Sequence, residues 1–263
     1  YYLYCIEATD PATGWRVPLA PSWIIGQKTR TIARLVPDKA TKSFQIEIIQ
    51  DATPEEMEKT KGEYTWANGI RCPVDKVGNP IPPEMRSINS IDAIRGREGL
   101  RRWENEDLVP RPDDVLQERL YCIRWVDPET GEKRYRAPTE VDLKREAEAL
   151  RLLRERFGDW QAKGFIPSRK IEAGAETDRL PRERGWTHWH HLYNPRQLLM
   201  IGLFQKLAAE KAKTPEVGAA LLLGIGRMAD WCSRLSRWNP HAANEKGEQV
   251  YFNQALNTLA NYA

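Results

Sequence analysis

The sequence is poor in cysteine and has no paired cysteines. Its four (Cys5, Cys72, Cys122, Cys232) are spread along 263 residues and form no CxxC. That spacing excludes a disulfide scaffold and suits a reduced, cytoplasmic protein. Also missing are GxSxG, HExxH, GxGxxG and a P-loop, so no familiar hydrolase, zinc-protease or nucleotide site announces itself. "GIGRM" (Gly224 to Met228) falls inside an apolar helical stretch and cannot serve as a phosphate loop. The longest apolar run, "VGAALLLGIG" (Val217 to Gly226), is about half of the ~20 residues a membrane span needs, so a buried helix is expected and no membrane partner. A net charge of only +3 rules out a global field committing the chain to nucleic acid or anionic lipid. Any basic surface must come from local clustering.

What is present is a core-sized apolar fraction, 41%, and a high charged fraction, 29%. The chain opens on "YYLYCIEATD", which has no basic n-region and reads as a strand. We expect a segment of something larger and no signal peptide. Nearly the same twelve letters occur twice, as "LYCIEATDPATG" (Leu3 to Gly14) and "LYCIRWVDPETG" (Leu120 to Gly131). Each ends in Asp-Pro-x-Thr-Gly, where Pro presets φ and Gly accepts a positive φ, so each predicts a β-hairpin. Tyr2–Ala8 would pair with Trp15–Leu19, and Arg119–Val126 with Lys133–Ala137. Thr31–Val36 and Ser43–Gln50 flank another turn, and a further unit runs through "GIRCPVDKVGNPIPP". Residues 86–114 read as irregular or a mobile insertion.

The second half reads as helical. Thr139 caps a helix through about Phe157. Asn194-Pro195-Arg196-Gln197 combines a cap, a first-turn proline and a capping-box glutamine. Thr214-Pro215-Glu216 opens a helix expected to reach Trp238, and Asn253–Tyr262 a last one. The expected fold class is α+β: a hairpin-rich part, residues 1–138, followed by a helical part, 139–263.

Several stretches invite chemistry. Cys5 before "DPATG" and Cys72 before "PVDKVG" look like zinc knuckles, but one thiolate per arm cannot close a four-ligand site, and core cysteines are the more ordinary reading. His188, His190 and His191 in "GWTHWHHLYN" match no ligand spacing. Packing ahead of the Asn194 cap competes there with base stacking by Trp186 and His188. Arg227, Asp230, Arg234 and Arg237 fall at i, i+3, i+7 and i+10, one helix face with Trp231 and Trp238 beside it. That face is a phosphate clamp or a salt-bridged stripe. Lys133, Arg134 and Arg136 make a basic strand that either follows a DNA backbone or protects a sheet edge. No catalytic, cofactor-binding or metal-binding residue is assigned.

Together, "LYNPRQLLMIGLFQKLA" (Leu192 to Ala208), "GIGRMADWCSRLSRWNP" and "VYFNQALNTLANYA" resemble segments of large prokaryotic adenine-specific DNA methylases of the phage-defence-associated type. Asn194 to Leu199, Arg227, Asp230, Leu235, Arg237, Trp238, Phe252, Gln254, Ala255, Leu256, Tyr262 and Ala263 carry the match. Gly14–Leu19 and Gly78–Pro82 stand where relatives have the knuckle ends of a zinc-ribbon-like insert, and "RYRAPTEVD" resembles the step that follows. The resemblance implies an S-adenosylmethionine-dependent parent that methylates adenine N6. Two departures matter: the knuckle cysteines are mostly lost, and neither the glycine-rich cofactor motif nor the (D/N)PPY motif is present. The expected role is therefore a non-catalytic insert with a degenerate zinc ribbon. Its partners would be DNA and the parent's remaining methyltransferase domains. Candidate DNA contacts are Arg227, Arg234, Arg237, Trp238, Lys133, Arg134, Arg136, Arg196, Trp186 and His188. The alternative is a scaffolding module of a defence system that never touches DNA.

Overall fold

The two LYCI copies lie side by side at the centre of one sheet. The computed structural model describes residues 1–90, 92, 94, 99–250 and 258. Along the chain it places β1 (Tyr2–Thr9), β2 (Arg16–Leu19), β3 (Ile24–Gly26), β4 (Thr31–Asp38), β5 (Ser43–Ile49), α1 (Pro54–Lys61), β6 (Gly69–Ile70) and β7 (Asn89–Ser90). There follow β8 (Gln117–Val126), β9 (Lys133–Arg136), α2 (Glu140–Ala162), α3 (Arg179–Arg184), α4 (Pro195–Lys211), α5 (Pro215–Trp231), β10 (Arg237–Asn239) and β11 (Lys246–Glu248). The first sheet is antiparallel in the order β2-β1-β8-β9, and β3-β4-β5 forms a second. Leu3 stands opposite Cys122 and Cys5 opposite Arg119, with an irregularity between Leu3 and Tyr4.

Each hairpin turn is closed by the same bonds. Asp10 N donates to Trp15 O and Gly14 N to Asp10 O, both at 2.8 Å. Asp127 N to Glu132 O and Gly131 N to Asp127 O repeat this at 2.9 Å. Both aspartate side chains accept backbone N–H groups of their own turn, and Gly14 and Gly131 take φ of 76° and 70°, where a side chain is strained. The repeated letters are apolar on both faces because a central strand is buried on both. Leu3, Cys5 and Cys122 face a core shared with Trp23, Ile25, Ala33 and Ile46 of the second sheet. Tyr4, Leu120 and Ile123 cluster on the other face, where the Tyr4 hydroxyl meets Glu146 of α2 and Arg196 of α4.

The strands-then-helices order holds, with local corrections. α2 begins at its Thr139 capping box as expected but runs on to Ala162, burying Leu153, Phe157 and Trp160. α4 and α5 start at the Asn194 and Thr214 caps. α5 stops at Trp231 rather than Trp238, because Cys232 leaves helical backbone (φ −121°, ψ 78°) and Arg234 N turns inward to donate to Leu192 O at 2.7 Å. The second part also contains strands: β10 and β11 pair, and Trp238 Nε1 donates to Ile25 O at 2.7 Å. The short helix α1 was not foreseen, although Thr53-Pro54-Glu55-Glu56 carries a complete capping box. The stretch 99–114 is irregular, yet tied down: Arg101 reaches Asp114 at 2.7 Å and Asp107 at 2.6 Å, and Arg111 reaches Asp107 at 2.8 Å. The expected helix at Asn253–Tyr262, with the matching residues Phe252 to Ala263, lies outside the described residues. Among the described residues no helix is long and apolar enough to cross a membrane.

Candidate nucleic-acid interface

Arg234, expected on an exposed helix face, is buried and fully hydrogen-bonded among the described residues. Its side chain is 0% exposed. Nε and Nη2 grip the Glu118 carboxylate at 2.8–3.1 Å. Nη1 donates to His191 O (2.9 Å) and Tyr193 O (2.5 Å), and Nη2 also donates to Leu108 O (3.0 Å). All five N–H groups are used, and the guanidinium lies 5.4 Å from the Trp103 ring and 5.9 Å from Trp186. Arg184, itself buried, comes within 3.4 Å of the same carboxylate. The proposed four-residue clamp therefore does not exist as one face. Its spacing required a helix that ends before Arg234, and burial removes Arg234 and Trp186 (1% exposed) from any contact with a phosphate or base.

The histidines are structural as well. His191 Nδ1 accepts from Thr187 N (3.1 Å) and His188 N (3.2 Å), which leaves the proton on Nε2 to be donated to Glu104 O (3.0 Å). His190 Nε2 donates to Asn105 O at 2.9 Å, and the His190 and His191 rings stand 4.3 Å apart. Burial drives His190 down to about 4 and His191 to about 2, so both are neutral imidazoles. Burial, with Lys170 nearby, also lowers His188, which is too enclosed to stack on a base. These rings fasten the 99–114 segment to the helical part. The ring nitrogens of His190 and His191 are already spent on protein groups, and His188 Nδ1 meets the Thr187 hydroxyl at 2.9 Å.

Three further candidates are held by the fold. Arg196 lies over the Tyr2 ring, contacts Glu146 and donates to the Tyr4 hydroxyl at 2.9 Å, joining α4 to α2 and β1. Trp238 is fixed by its bond to Ile25 O and packs on the inter-sheet core. Arg136 holds Asp142 at 2.6 Å, keeping that carboxyl below its ordinary range, and so anchors the start of α2. Arg237 is half-buried on β10.

The basic strand is split by its pleat. Lys133 turns toward Asn244 O (2.9 Å) and Glu245 (3.7 Å). Arg134 points the other way, 49% exposed, and lies 5.6 Å over the ring of its cross-strand neighbour Trp125. Trp125 is itself 44% exposed. A second cation–aromatic group gathers Arg227 and Lys246, each 5.3 Å from the Trp231 ring, with Asp230 2.9 Å from Arg227. The structure thus keeps Arg134 and Arg227 as exposed cations, keeps Trp231 beside Arg227 as expected, and adds Trp125 and Lys246. Trp125 was visible within "LYCIRWV". The approach of Lys246, on β11, to Trp231, at the end of α5, joins residues fifteen positions apart and left no mark in the sequence.

The two knuckle cysteines also part company. Cys5 sits in the inter-sheet core, while Cys72 accepts a bond from the Thr13 hydroxyl at 3.4 Å in a separate cluster under the first hairpin. Burial raises the pKa of both thiols. Among the described residues no three His, Cys, Asp or Glu side chains are grouped to hold a metal. No family model, curated protein or solved structure matches the chain.

Proposed function

We propose that the chain is a non-catalytic segment of a cytoplasmic, S-adenosylmethionine-dependent, adenine-specific DNA methyltransferase, and that it contacts DNA through the outer face of the β8–β9 hairpin. The exposed Trp125–Arg134 pair carries this proposal. A methyltransferase reaches adenine N6 by extruding the base from the duplex. An exposed indole beside a guanidinium is the chemistry that meets an unstacked base and its phosphate. In this proposal the turn at Asp75–Asn79, where Asp75 N donates to Asn79 O at 2.9 Å, is what remains of a zinc knuckle. The residues present do not fit the cofactor: Gly224 and Gly226 lie within α5 and cannot cradle a nucleoside, so other domains of the parent would bind it.

Anisotropy titration of the full-length protein with short DNA tests the proposal. Trp125→Ala should weaken binding by a stacking contact of about 1–3 kcal/mol, roughly five- to hundredfold. Arg134→Ala should lower the salt slope by about one phosphate contact. Unchanged affinity and slope in both variants would remove the hairpin from the interface. The flanking sequence decides the family question, since a glycine-rich loop upstream and a DPPY-like motif downstream are required.

A second reading, a scaffolding module without DNA contact, is favoured by one observation. α4 and α5 leave Leu203, Phe204, Leu207, Leu221, Leu222 and Leu223 exposed. Pull-down with and without nuclease separates the two, because a partner held only through DNA is lost on digestion.

A further inference from the structure

The first sheet has a second polar feature, on the face opposite Trp125 and Arg134. Cys5, Glu7 and Thr9 share one face of β1, and their cross-strand neighbours Arg119 and Arg16 join them there. At this end the second sheet meets the first where Arg16 N donates to Lys42 O at 2.8 Å and Arg119 Nη1 donates to Phe44 O at 2.7 Å. Lys42 stands at a left-handed turn position (φ 50°) just before β5. The two turns so joined border an open polar concavity of about 430 Å³, lined by Arg16, Lys42 and Arg119, by the hydroxyl residues Thr9, Thr41 and Ser43, and by Glu7 and Gly14.

Its charge is unbalanced in one direction: three cations against one carboxylate. Glu7 is already taken, at 2.9 Å from Arg119 Nη1, which also donates to Phe44 O at 2.7 Å. Those two bonds fix the Arg119 guanidinium, and its Nε and Nη2 make no hydrogen bond among the described residues. The side chains of Arg16 and Lys42 have no ion pair or hydrogen bond among the described residues either. Asp38, in the neighbouring turn, is occupied by Ala40 N at 3.0 Å and by Thr41. The Thr41 and Ser43 hydroxyls bond each other at 2.8 Å, so a fixed guanidinium, two uncommitted cations and the Thr9 hydroxyl are the donors this concavity offers a tetrahedral oxyanion.

We propose that this concavity binds a phosphoryl group, with Arg119 as the fixed fork and Arg16 and Lys42 closing on the anion. Two sources share that chemistry: the phosphodiester of a nucleic acid, or a free phosphorylated small molecule. The site does not depend on the hairpin contact proposed above.

Inorganic pyrophosphate is the probe, titrated into the protein at constant ionic strength while backbone amide resonances are followed. Saturable shifts at Gly14, Lys42 and Ser43 are expected. Arg16→Ala/Lys42→Ala should weaken pyrophosphate at least tenfold with an unchanged circular dichroism spectrum, since neither side chain is paired. Arg119→Lys keeps the charge, loses the fork and should also weaken it. Trp125→Ala should leave it untouched, whatever that variant does to DNA. Competition by an unphosphorylated DNA 12-mer identifies the backbone as the source, whereas binding of pyrophosphate without competition identifies a free phosphorylated ligand; both support the site. The absence of saturable shifts at those amides, or equal affinity in the double variant, overturns it.

Discussion

Arg234 and Arg134 are both arginines beside tryptophan, and they do opposite things. Arg234 lies between Trp103 and Trp186 with every N–H bonded and its side chain 0% exposed. Arg134 lies over one ring, half in water, with Glu132 at 2.8 Å as its only ion partner among the described residues. The first pairing is a joint: it ties Glu118 of β8 to the carbonyls of the His191–Tyr193 turn and of Leu108. Removing one partner of such a joint strands a buried charge, whereas the same change at an exposed pair costs almost nothing in stability. Residue type therefore cannot distinguish an interface arginine from a keystone. Solvent access and the number of bonded N–H groups can.

The largest effect that would test this contrast belongs to Arg234→Met. It leaves Glu118 facing Arg184 at 3.4 Å and strips three carbonyls of their donor. A loss of about 3–5 kcal/mol is expected in denaturant unfolding, and a loss below about 1 kcal/mol would show that the joint is not structural. Lower DNA affinity in that variant would report unfolding rather than a lost contact.

Acid should weaken the same buried region. His190 and His191 have folded values of about 4 and about 2, below the ordinary 6.5, so the unfolded chain takes up their protons first as pH falls. Their contribution is fully present above pH 6.5 and declines as pH falls from 6.5 to about 4 for His190 and to about 2 for His191, by up to about 1.4 kcal/mol per pH unit for each histidine. Unfolding midpoints between pH 7 and 4.5, with imidazole resonances followed in parallel, check this. Two imidazoles titrating near 6.5 in the folded protein would contradict it.

Smaller changes probe the hairpins. Gly14→Ala and Gly131→Ala meet no neighbouring atom within 4 Å, so each should cost only the strain of a positive φ, about 1 kcal/mol and alike in the two copies. A large difference between them would mean that the shared turn is not locally built. Arg134→Ala comes last, with an expected stability change within about 0.5 kcal/mol. A larger loss would make it a second Arg234.

Much of the scaffold could be read from local chemistry. The two Asp-Pro-x-Thr-Gly turns, the Thr139, Asn194 and Thr214 caps and the pleated β5 each settle within a few residues, and each is where the sequence placed it. The Thr53 capping box at the start of α1 is equally local. Less of the candidate site was legible. Of the ten expected DNA contacts, Arg134 and Arg227 remain exposed beside an aromatic ring, while Arg234, Trp186 and His188 turn inward. The i, i+3, i+7, i+10 spacing counted a helix past Cys232, where bonds to Leu192 pull the chain into the core.

By itself the sequence determined the strand-rich start, the helical continuation, the turns and the caps, since these depend on φ preferences and on hydrogen bonds within four or five residues. It also set out the doubled LYCI stretch. Only tertiary structure decided that the two copies pair as the central strands β1 and β8, each buried on both faces. It decided, too, that Arg234 is a keystone while Arg134 meets solvent, and that Arg16, Lys42 and Arg119 converge on one concavity. Those outcomes rest on desolvation and on contacts between residues far apart in the chain, such as Arg234 with Glu118, which no local pattern encodes.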